Sequence, residues 1–370
     1  MEGVRQIARA AQSWGQQTTV ACLDEPGQPF LEGDAFATVP LGPAMFKYGY
    51  SPKLAPWLRA HACNFDAVIV NGLWQYSSLA VWRTLHGTKV PYFVFTHGML
   101  DPYFKNAFPL KHLKKCLYWP WAEYRVLRDA RGVFFTCEEE RALASRSFGL
   151  YRAKEFVVGY GTAPSPFARD AASAAFFSSF PTLKEKRLMV FMSRIHRKKG
   201  CDLLIEAFST IVGSDPRWHI VMCGPGEEAL VRQLQAQASA LGIARHITWT
   251  GMLKGERKWG ALFAAEVFVL PSHQENFGIA VAEALASGTP VLISDKVNIW
   301  REVEADGAGF VAPDTLGGVQ QLLQAWIALD PQAQEDMRLA AKNCFNSRFD
   351  VQGSARRLSA LVQRLAQVGH

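Results

Sequence analysis

Short, almost continuously apolar runs alternate along this chain with longer segments that have the periodicity of amphipathic helices. Such runs are typical of strands buried on both faces of a parallel sheet, and their alternation with helices predicts an α/β fold. The runs that fit this description are 18–23, 66–71, 91–96, 132–136, 155–159, 187–193, 218–224, 246–251, 267–272, 289–294 and 309–313. Because the rhythm stops once and restarts, we predict two doubly wound domains.

The interruption lies at 162–186, a stretch rich in Pro, Ser and Ala. Such a composition is typical of a connecting segment. We predict an N-terminal domain over 1–165, a linker over 166–186 and a second domain over 187–345. A C-terminal helix over 346–370 could cross back to the first domain. Ligands of parallel sheets bind at the carboxyl ends of the strands, so the predicted site is a cleft that the two sheets face.

Composition narrows the class of protein. The 370 residues include seven cysteines, an odd number with no CxxC pair. This pattern favours a reduced, cytoplasmic protein without a disulfide framework or a zinc site. No apolar run approaches the ~18 residues of a membrane-spanning helix. The first residues show no basic segment followed by an apolar core, so we do not expect a secretory signal.

Positive charge is concentrated in the first half of the chain. The net charge is +7, yet 47–131 alone holds twelve Lys or Arg against four Asp or Glu. Such a patch suggests an anionic partner, although a solvated face with no partner would look the same. Within it, 109–129 predicts a basic, aromatic helix with Lys111, Lys114 and Lys115 near one face. Apolar residues lie near another, as in helices that lie on anionic membranes, but packing on the protein's own sheet is equally consistent.

Two carboxylates mark the stretch "SHQENFGIAVAEALASGTPVLISD" (272–295). Glu275 lies in a polar loop after a strand, and Glu283 lies inside an otherwise apolar helix that begins near Gly278. A helix start offers free N–H groups to an anion, and a carboxylate can accept hydrogen bonds from neighbouring hydroxyls of a sugar or ribose. The alternative is that Glu275 caps the helix and Glu283 is an exposed helix residue.

A second cluster, "SRIHRKKG" (193–200), follows the first strand of the second half. Arg194 and Lys199 lie five positions apart between that strand and the next helix, and Gly200 is at the helix start. Two fixed cations beside a helix N-terminus can hold a diphosphate. No GxxxxGK[ST] motif is present, so this is not a P-loop.

Taken together, these motifs resemble glycosyltransferase family 4, the retaining nucleotide-sugar transferases with the GT-B fold. The family pattern is R-x4-K-G, then G-x-G, then E-x7-E followed by A-x-x-x-G-x-P-V. Its counterparts here are 194–200, 224–226, 275–283 and 284–291. The resemblance is strong in the second half and is mainly one of layout in the first.

The resemblance implies a retaining transferase that moves a sugar from a nucleotide sugar to a glycan or lipid-linked acceptor, with a role in cell-surface polysaccharide synthesis. It implies that Arg194 and Lys199 bind the donor diphosphate, that Glu275 holds the transferred sugar and that Glu283 holds the ribose. The other donor-binding residues that it implies are Gly224, Met252, Leu253, Asn276, Phe277, Gly278 and Ile279. No DxD motif or cluster of metal ligands occurs, so we expect no metal or other cofactor, with the cations and helix dipole stabilising the leaving diphosphate.

The first half offers three weaker features. His97 follows the strand at 91–96, where the family often has a histidine near the transferred sugar; positioning, proton handling or a purely structural role are all open. Trp74 follows another strand and lines the acceptor pocket or belongs to the core. Thr136 and Glu139 have the spacing of a capping box, which carries no chemistry.

The sequence departs from the family in two places. Ser193 precedes Arg194 where glycine is usual. Family members also open with a strand and a Gly-Gly loop, whereas this sequence opens on "MEGVRQIARAAQSWG", which has the pattern of the first helix. We therefore expect the first strand to be missing, and the natural protein to be longer or this chain to start at an internal methionine.

Two other functions fit parts of the sequence. A nucleotide-sugar epimerase of the same fold would release product without an acceptor. A basic nucleic-acid-binding protein would bind DNA or RNA in a salt-sensitive manner, but no recognised nucleic-acid module is present. We expect a cytoplasmic enzyme, with possible contact to the inner face of an anionic membrane and no nucleic-acid partner.

Overall fold

The computed structural model describes residues 2–34 and 36–367. Within these ranges the chain forms two compact units, which we call unit 1 (2–161 with 351–367) and unit 2 (162–350). Both are built on parallel sheets with helices, so the predicted α/β class is confirmed. The C-terminal helix belongs to unit 1, where it packs against the first helix of the chain.

The described residues of unit 1 form six strands. Its elements in chain order are α1 (Glu2–Gln12), β1 (Thr19–Cys22), β2 (Ala37–Pro40), α2 (Leu54–His61), β3 (Val68–Asn71), α3 (Tyr76–Leu85), β4 (Tyr92–Phe95), α4 (Tyr103–Ala107), α5 (Pro109–Tyr118), α6 (Glu123–Asp129), β5 (Gly132–Phe135), α7 (Glu138–Ala144) and β6 (Glu155–Val157). β1 and β2 form a two-stranded parallel sheet, and β3, β4, β5 and β6 form a second parallel sheet in that order. Every residue of β4 and β5 is buried, and all but Gly132 are Phe, Tyr or Val, which places the core of unit 1 there.

The two sheets of unit 1 each end at an edge strand. Among the described residues, β1 pairs with β2 alone and β3 pairs with β4 alone. Val39 and Val68 nevertheless pack against the same hydrophobic core. That the natural protein has a further strand before α1 stays a prediction, because these strand pairings concern only the residues of this chain.

Unit 2 contains a single six-stranded sheet. Its elements are α8 (Arg169–Ser179), β7 (Arg187–Met192), α9 (Cys201–Ser209), β8 (Trp218–Cys223), α10 (Glu228–Ala240), β9 (Ile247–Gly251), α11 (Gly255–Ala264), β10 (Val267–Leu270), α12 (Ile279–Ala286), β11 (Val291–Ser294), α13 (Trp300–Ala305), β12 (Gly309–Ala312), α14 (Leu316–Ile327) and α15 (Pro331–Cys344). A π-helical turn (Phe345–Phe349) then leads to α16 (Val351–Gln367) of unit 1. The strand order β12-β11-β10-β7-β8-β9 is the doubly wound order, so the carboxyl ends of β7 and β10 are neighbours.

All eleven strands predicted from apolar runs are present, with ends that differ by a few residues. The strand that the sequence did not predict is β2, "ATVP", which has four residues and ends in proline. None of its residues is fully buried, so it lacks the continuous apolar character of the others. A short, half-buried strand of this kind has little periodicity from which it could be predicted.

The stretch 166–186, expected to be a linker, contains α8 and belongs to unit 2. Ala172 and Phe176 of α8 are fully buried and lie on one helix face. α8 packs against α11 so closely that a Cβ on Gly260 would lie 2.0 Å from the Ala172 carbonyl oxygen. The apolar residues of 166–186 therefore form a helix–helix contact. The Ser and Pro residues of the same stretch had instead suggested a linker.

The single helix predicted over 109–129 is instead broken into α5, a 3₁₀ turn (Trp119–Trp121) and α6. Pro120 accounts for the break, since it has no N–H to donate and clashes with the preceding turn of an α-helix. Across 2–34 and 36–367, none of the helices combines the length and the apolar character needed to span a bilayer.

Candidate functional site

The loops that follow β7, β8 and β9 are joined to one another by backbone hydrogen bonds at the carboxyl edge of the unit 2 sheet. The N–H of Ser193 donates to the Cys223 carbonyl at 3.0 Å, and the N–H of Gly224 donates to the Gly251 carbonyl at 2.8 Å. Gly224 has a φ of 145°, and a Cβ there would lie 1.8 Å from the Ser193 carbonyl oxygen. Only glycine fits this contact, which fixes the backbone that carries Arg194.

The two cations of the loop after β7 lie in different environments. Arg194 is exposed, and no described residue forms a hydrogen bond or ion pair with its guanidinium. The Lys199 side chain is only 7% exposed and forms an ion pair with Glu275. Gly200, in the left-handed conformation, begins α9 directly after Lys199, and a Cβ there would lie 2.1 Å from the Pro271 carbonyl oxygen. The close approach of these two loops brings Lys199 to Glu275.

Glu275 is held by its backbone as well as by its side chain. Its N–H donates to the Lys296 carbonyl at 2.9 Å, and its carbonyl accepts from the Asn298 N–H at 3.0 Å. Its side chain lies beside Gly278, the left-handed N-cap of α12. The N-cap of α12 is Gly278, so Glu275 does not occupy the N-cap position that was its alternative. An ammonium has three donors, so Lys199 can bind Glu275 and still donate to an anion.

Glu283 is not the exposed helix residue that was its alternative. Its side chain is 12% exposed, and its Oε1 lies 2.6 Å from the Nζ of Lys258. Lys258 lies on α11, twenty-five positions earlier in the chain. No sequence pattern indicates this partner, because the two residues meet only through the packing of α11 against α12. A half-buried, ion-paired carboxylate keeps acceptor positions that a hydroxyl could reach.

The remaining predicted donor-binding residues surround the same loops. Met252 and Leu253 follow β9, and Met252 is exposed. Asn276 accepts a long hydrogen bond of 3.4 Å from buried Asn298, a residue that the sequence did not predict. The Phe277 ring is buried against Phe349, so only its backbone could contact a ligand.

Ile279, the first residue of α12, is half exposed and presents its backbone N–H at the helix start. The N–H groups of the first turn of a helix have no partners within the helix, and the helix dipole adds a partial positive charge at this end. The start of α12 and the Lys199 ammonium beside Glu275 therefore have the chemistry to bind an anion, and Arg194, in the loop after the neighbouring strand β7, adds a second cation at the same edge of the sheet.

His97 lies in unit 1, in the loop after β4. Its Nε2 lies 2.9 Å from the Oδ1 of Asn71, and its ring stacks on Phe95 at 4.4 Å between centroids. Tyr160 packs edge-on against the ring. Burial lowers the pKa of His97 to about 4, so the imidazole is neutral near pH 7. A neutral imidazole can donate or accept a hydrogen bond, and the lowered pKa makes it a weak base near pH 7.

Trp74 is partly buried and is held through a carboxylate that the sequence did not predict. The Oε1 of Glu123 accepts from the Trp74 N–H at 2.6 Å, and Trp74 has a φ of 68°, unusual for a residue with a side chain. Burial raises the pKa of Glu123 to about 7. The Lys115 ammonium lies 4.2 Å from the centre of the Trp74 ring, so this lysine does not share the exposed face of Lys111 and Lys114.

The capping box predicted from Thr136 and Glu139 is wrong. The N-cap of α7 is Cys137, whose sulfur accepts from the Glu140 N–H at 3.5 Å. The carboxylate that Thr136 contacts is that of Glu140, one position further on. The hydroxyl of Thr136 thus bonds to a carboxylate four residues away rather than to the helix backbone.

Within the described parts of the chain, no three or more His, Cys, Asp or Glu residues are grouped closely enough to hold a metal ion. No disulfide joins any of the seven cysteines, all of which the structure describes. The expectation that no cofactor is needed stays a prediction.

Two family profiles match this chain, one in each unit. Residues 174–343 match the family described as "Glycosyl transferases group 1", and residues 2–161 match the "Glycosyl transferase 4-like domain". The first match contains every predicted donor-binding residue, and the second contains His97.

Individual proteins resemble the chain over different lengths. The GDP-mannose:cellobiosyl-diphosphopolyprenol alpha-mannosyltransferase of Xanthomonas campestris is 24% identical over 80% of this chain and 73% of its own length. Other curated relatives match over shorter segments, and the chain spans only 28%, 38% and 45% of the length of three of them.

Two solved structures share the fold. Sucrose-phosphate synthase from Thermosynechococcus elongatus superposes with a TM-score of 0.78 at 19% identity, covering 99% of this chain and 93% of that one. Anabaena Alr3699/HepE in complex with UDP-glucose superposes with a TM-score of 0.73 at 17% identity, covering 99% and 94%. At these identities the likeness concerns the fold, and it supports the GT-B architecture that the motifs implied.

Proposed function

The chain belongs to the group 1 glycosyl transferases, and on this premise we propose that it is a retaining hexosyltransferase that uses a nucleotide-sugar donor. We propose that unit 2 binds the donor and that unit 1 carries groups for a glycan or lipid-linked acceptor. The Xanthomonas relative, whose name gives a nucleotide-sugar donor and a polyprenol-linked acceptor, supports this assignment. A role in cell-surface polysaccharide synthesis, on the cytoplasmic side of the membrane, completes the proposal.

The observation that carries the proposal is the pairing of Lys199 with Glu275 beside the start of α12. A nucleotide sugar has a diphosphate next to a ring with several hydroxyls. The ammonium of Lys199, the guanidinium of Arg194 and the helix start suit the diphosphate. The carboxylate of Glu275 suits the sugar hydroxyls, since a carboxylate has up to four acceptor positions. The ion pair holds the two recognition groups next to each other.

The chemical role of these groups follows from charge. When the bond between sugar and phosphate breaks, negative charge develops on the leaving diphosphate. Cations fixed beforehand at that position stabilise the transition state more than the ground state. His97, neutral near pH 7, would position the sugar or accept a proton. Retention of the anomeric configuration is what the motif pattern supports.

A thermal-shift screen tests the donor class. We expect one or more of the UDP-, GDP- and ADP-sugars to raise the melting temperature, because a ligand that binds only the folded state stabilises it. At about 100 times its Kd the gain is about 2.7 kcal/mol, which corresponds to a shift of several degrees. The free sugars and a DNA oligonucleotide serve as controls. A shift with the oligonucleotide and with no nucleotide sugar would contradict the proposal.

We also propose that unit 1 makes a peripheral contact with an anionic membrane through α5 and the turn after it. Leu110, Leu113 and Leu117 follow the i, i+3, i+7 spacing of one helix face and are 78%, 59% and 71% exposed, and no residue of α5 is buried. Trp121, in the following turn, is 71% exposed. An apolar face exposed to water in this way suits insertion at the boundary between headgroups and acyl chains.

The charge around this face supports an anionic surface as the partner. Lys111 and Lys114 are exposed on α5 and flank the leucines. Each basic residue near an anionic leaflet contributes about 1 kcal/mol of attraction, and salt screens it over about 10 Å at 0.1 M. The basic excess in 47–131 adds to this attraction at longer range.

Co-sedimentation with vesicles tests the membrane contact. We expect the protein to pellet with vesicles of phosphatidylcholine mixed with phosphatidylglycerol, less so in high salt, and weakly with phosphatidylcholine alone. The double variant Leu113→Ser/Leu117→Ser should bind the anionic vesicles at least about tenfold more weakly. Each substitution removes several methyl and methylene groups that the membrane would bury. Leu339→Ser, at an exposed leucine of α15 in unit 2, is the matched control. Equal pelleting with neutral and anionic vesicles, or no effect of the double variant, would contradict this contact.

A further inference from the structure

Glu140 is a buried carboxylate with four short hydrogen bonds at the carboxyl ends of β4 and β5. Its Oε1 accepts from the Thr96 hydroxyl at 2.6 Å and from the Gly98 N–H at 2.5 Å. Its Oε2 accepts from the N–H of Thr136 at 2.7 Å and from the hydroxyl of Thr136 at 2.6 Å. Only 4% of the residue is exposed. The carboxylate thus joins the loop after β4 to the loop after β5 and is too buried to contact a substrate itself.

His97 lies between the two residues that share one oxygen of Glu140. It has a φ of 49°, in the left-handed region that residues with a Cβ rarely occupy, and Gly98 follows with a φ of 74°. Such a conformation is strained and persists only where the surroundings impose it. Because Oε1 binds the residue before and the residue after His97, it fixes both ends of the strained segment.

The conformation at position 97 decides where the imidazole points. With it, the ring stacks on Phe95 and its Nε2 reaches the Oδ1 of Asn71, which ends β3. An extended backbone at this position would turn the side chain away from both partners. The direction of the ring therefore depends on the hydrogen bonds that hold residues 96 and 98.

We propose that Glu140 is a positioning residue for His97: its carboxylate locks the segment 96–98 and so fixes the imidazole in the orientation used in sugar transfer. This inference rests on the proposed function for the role of His97, but the orientation of the ring can be measured without it. Glu140 acts through the backbone and does not touch the substrate.

Two variants separate this role from general stability. Glu140→Gln keeps the size of the side chain but replaces one acceptor oxygen with an NH₂ group, so an N–H or hydroxyl donor must face another donor. Thr96→Val removes the hydroxyl next to His97, with its bond to Glu140 and its longer bond of 3.3 Å to the Phe134 carbonyl, and leaves Glu140 in place. Glu138→Gln is the matched control, since Glu138 lies on the same helix, is exposed and pairs with Arg141 at the surface.

The experiment measures the His97 ring by NMR, with the signal assigned as the one that His97→Ala removes. We expect wild-type protein and Glu138→Gln to show a single ring environment that stays neutral down to low pH. In Glu140→Gln and Thr96→Val, the signal should move or split and titrate closer to the ordinary histidine range, because the ring is less buried. Both variants should remain folded by circular dichroism.

Turnover provides the second measurement. With the nucleotide sugar identified by the thermal-shift screen, we expect kcat for release of nucleoside diphosphate to fall about tenfold or more in both variants, with donor KM changing about twofold at most. Folded Glu140→Gln and Thr96→Val proteins with a wild-type His97 signal would overturn the proposal. If His97→Ala is fully active, the proposed function of His97 fails instead, and the NMR result still decides whether Glu140 positions the ring.

Discussion

Replacing Lys199 with alanine is expected to abolish most activity, with a loss of about 2–4 kcal/mol in transition-state stabilisation, or roughly 30- to 900-fold in kcat/KM. The ammonium is nearly buried and paired with Glu275, so no water-exposed cation can take its position. Its removal also leaves the carboxylate of Glu275 without its partner, which disturbs the sugar side of the proposed site. The measurement is release of nucleoside diphosphate by purified, folded enzyme.

Arg194→Ala is expected to lower the same quantity by a similar amount, since the Arg194 guanidinium is exposed and has no partner among the described residues. Arg197→Ala is the matched control, because Arg197 lies in the same loop and donates to Gln233 of α10. Its turnover should stay close to that of the wild type. Near-normal turnover for both Arg194→Ala and Lys199→Ala would rule out the diphosphate assignment.

Glu275→Gln is expected to reduce turnover about 100-fold or more while leaving affinity for the free nucleoside diphosphate largely intact. The reason is its place beside Lys199 and the start of α12, where the reacting sugar would lie. The amide keeps the shape of the side chain but weakens its bond to the ammonium and to hydroxyl donors. Steady-state kinetics combined with calorimetric titration of the nucleotide separates the two effects.

Glu283→Gln is expected to have the opposite profile, a nucleotide Kd raised about tenfold with a smaller effect on kcat, because a hydrogen bond to a charged group contributes about 1.5–3 kcal/mol. Glu228→Gln, at a glutamate that is 84% exposed, controls for the change of charge. If Glu275→Gln loses the nucleotide and Glu283→Gln does not, the two roles are reversed. If Lys258→Ala and Glu283→Gln lower only the melting temperature, Glu283 serves the ion pair with Lys258 and not the ligand.

Local pattern was sufficient for much of the fold. The buried strands could be predicted because a strand covered by helices on both faces must be apolar at nearly every position, and this leaves a run in the sequence. β2 and α8 could not be predicted in this way. β2 is short and half buried, and the apolar residues of α8 stand among Ser and Ala that are typical of connections. The break at Pro120, by contrast, follows from the sequence itself, because proline disrupts the interior of an α-helix.

For the site, the sequence determined which loops carry the chemistry. Parallel strands place the loops after β7 and β10 at one edge, so Arg194, Lys199 and Glu275 were expected together, and the structure brings Lys199 and Glu275 into contact. Glycines at positions 200, 224 and 278 mark where the backbone adopts conformations or contacts that a Cβ would hinder. These features are local, since each depends on a few neighbouring residues and on the strand order.

Side-chain contacts between residues that are distant in the chain could be identified only from the tertiary structure. Lys258 meets Glu283 across twenty-five positions, and Glu140 meets Thr96 across forty-four. Neither pair has a spacing that local structure would recognise, because each depends on how one helix packs on its neighbour or its sheet. The sequence by itself determined most of the strands and the loops that carry charge. The packing of the helices decided which carboxylate contacts which cation or strained loop. A side-chain contact of about 3 Å forms only when the elements that carry the two side chains are correctly placed relative to each other.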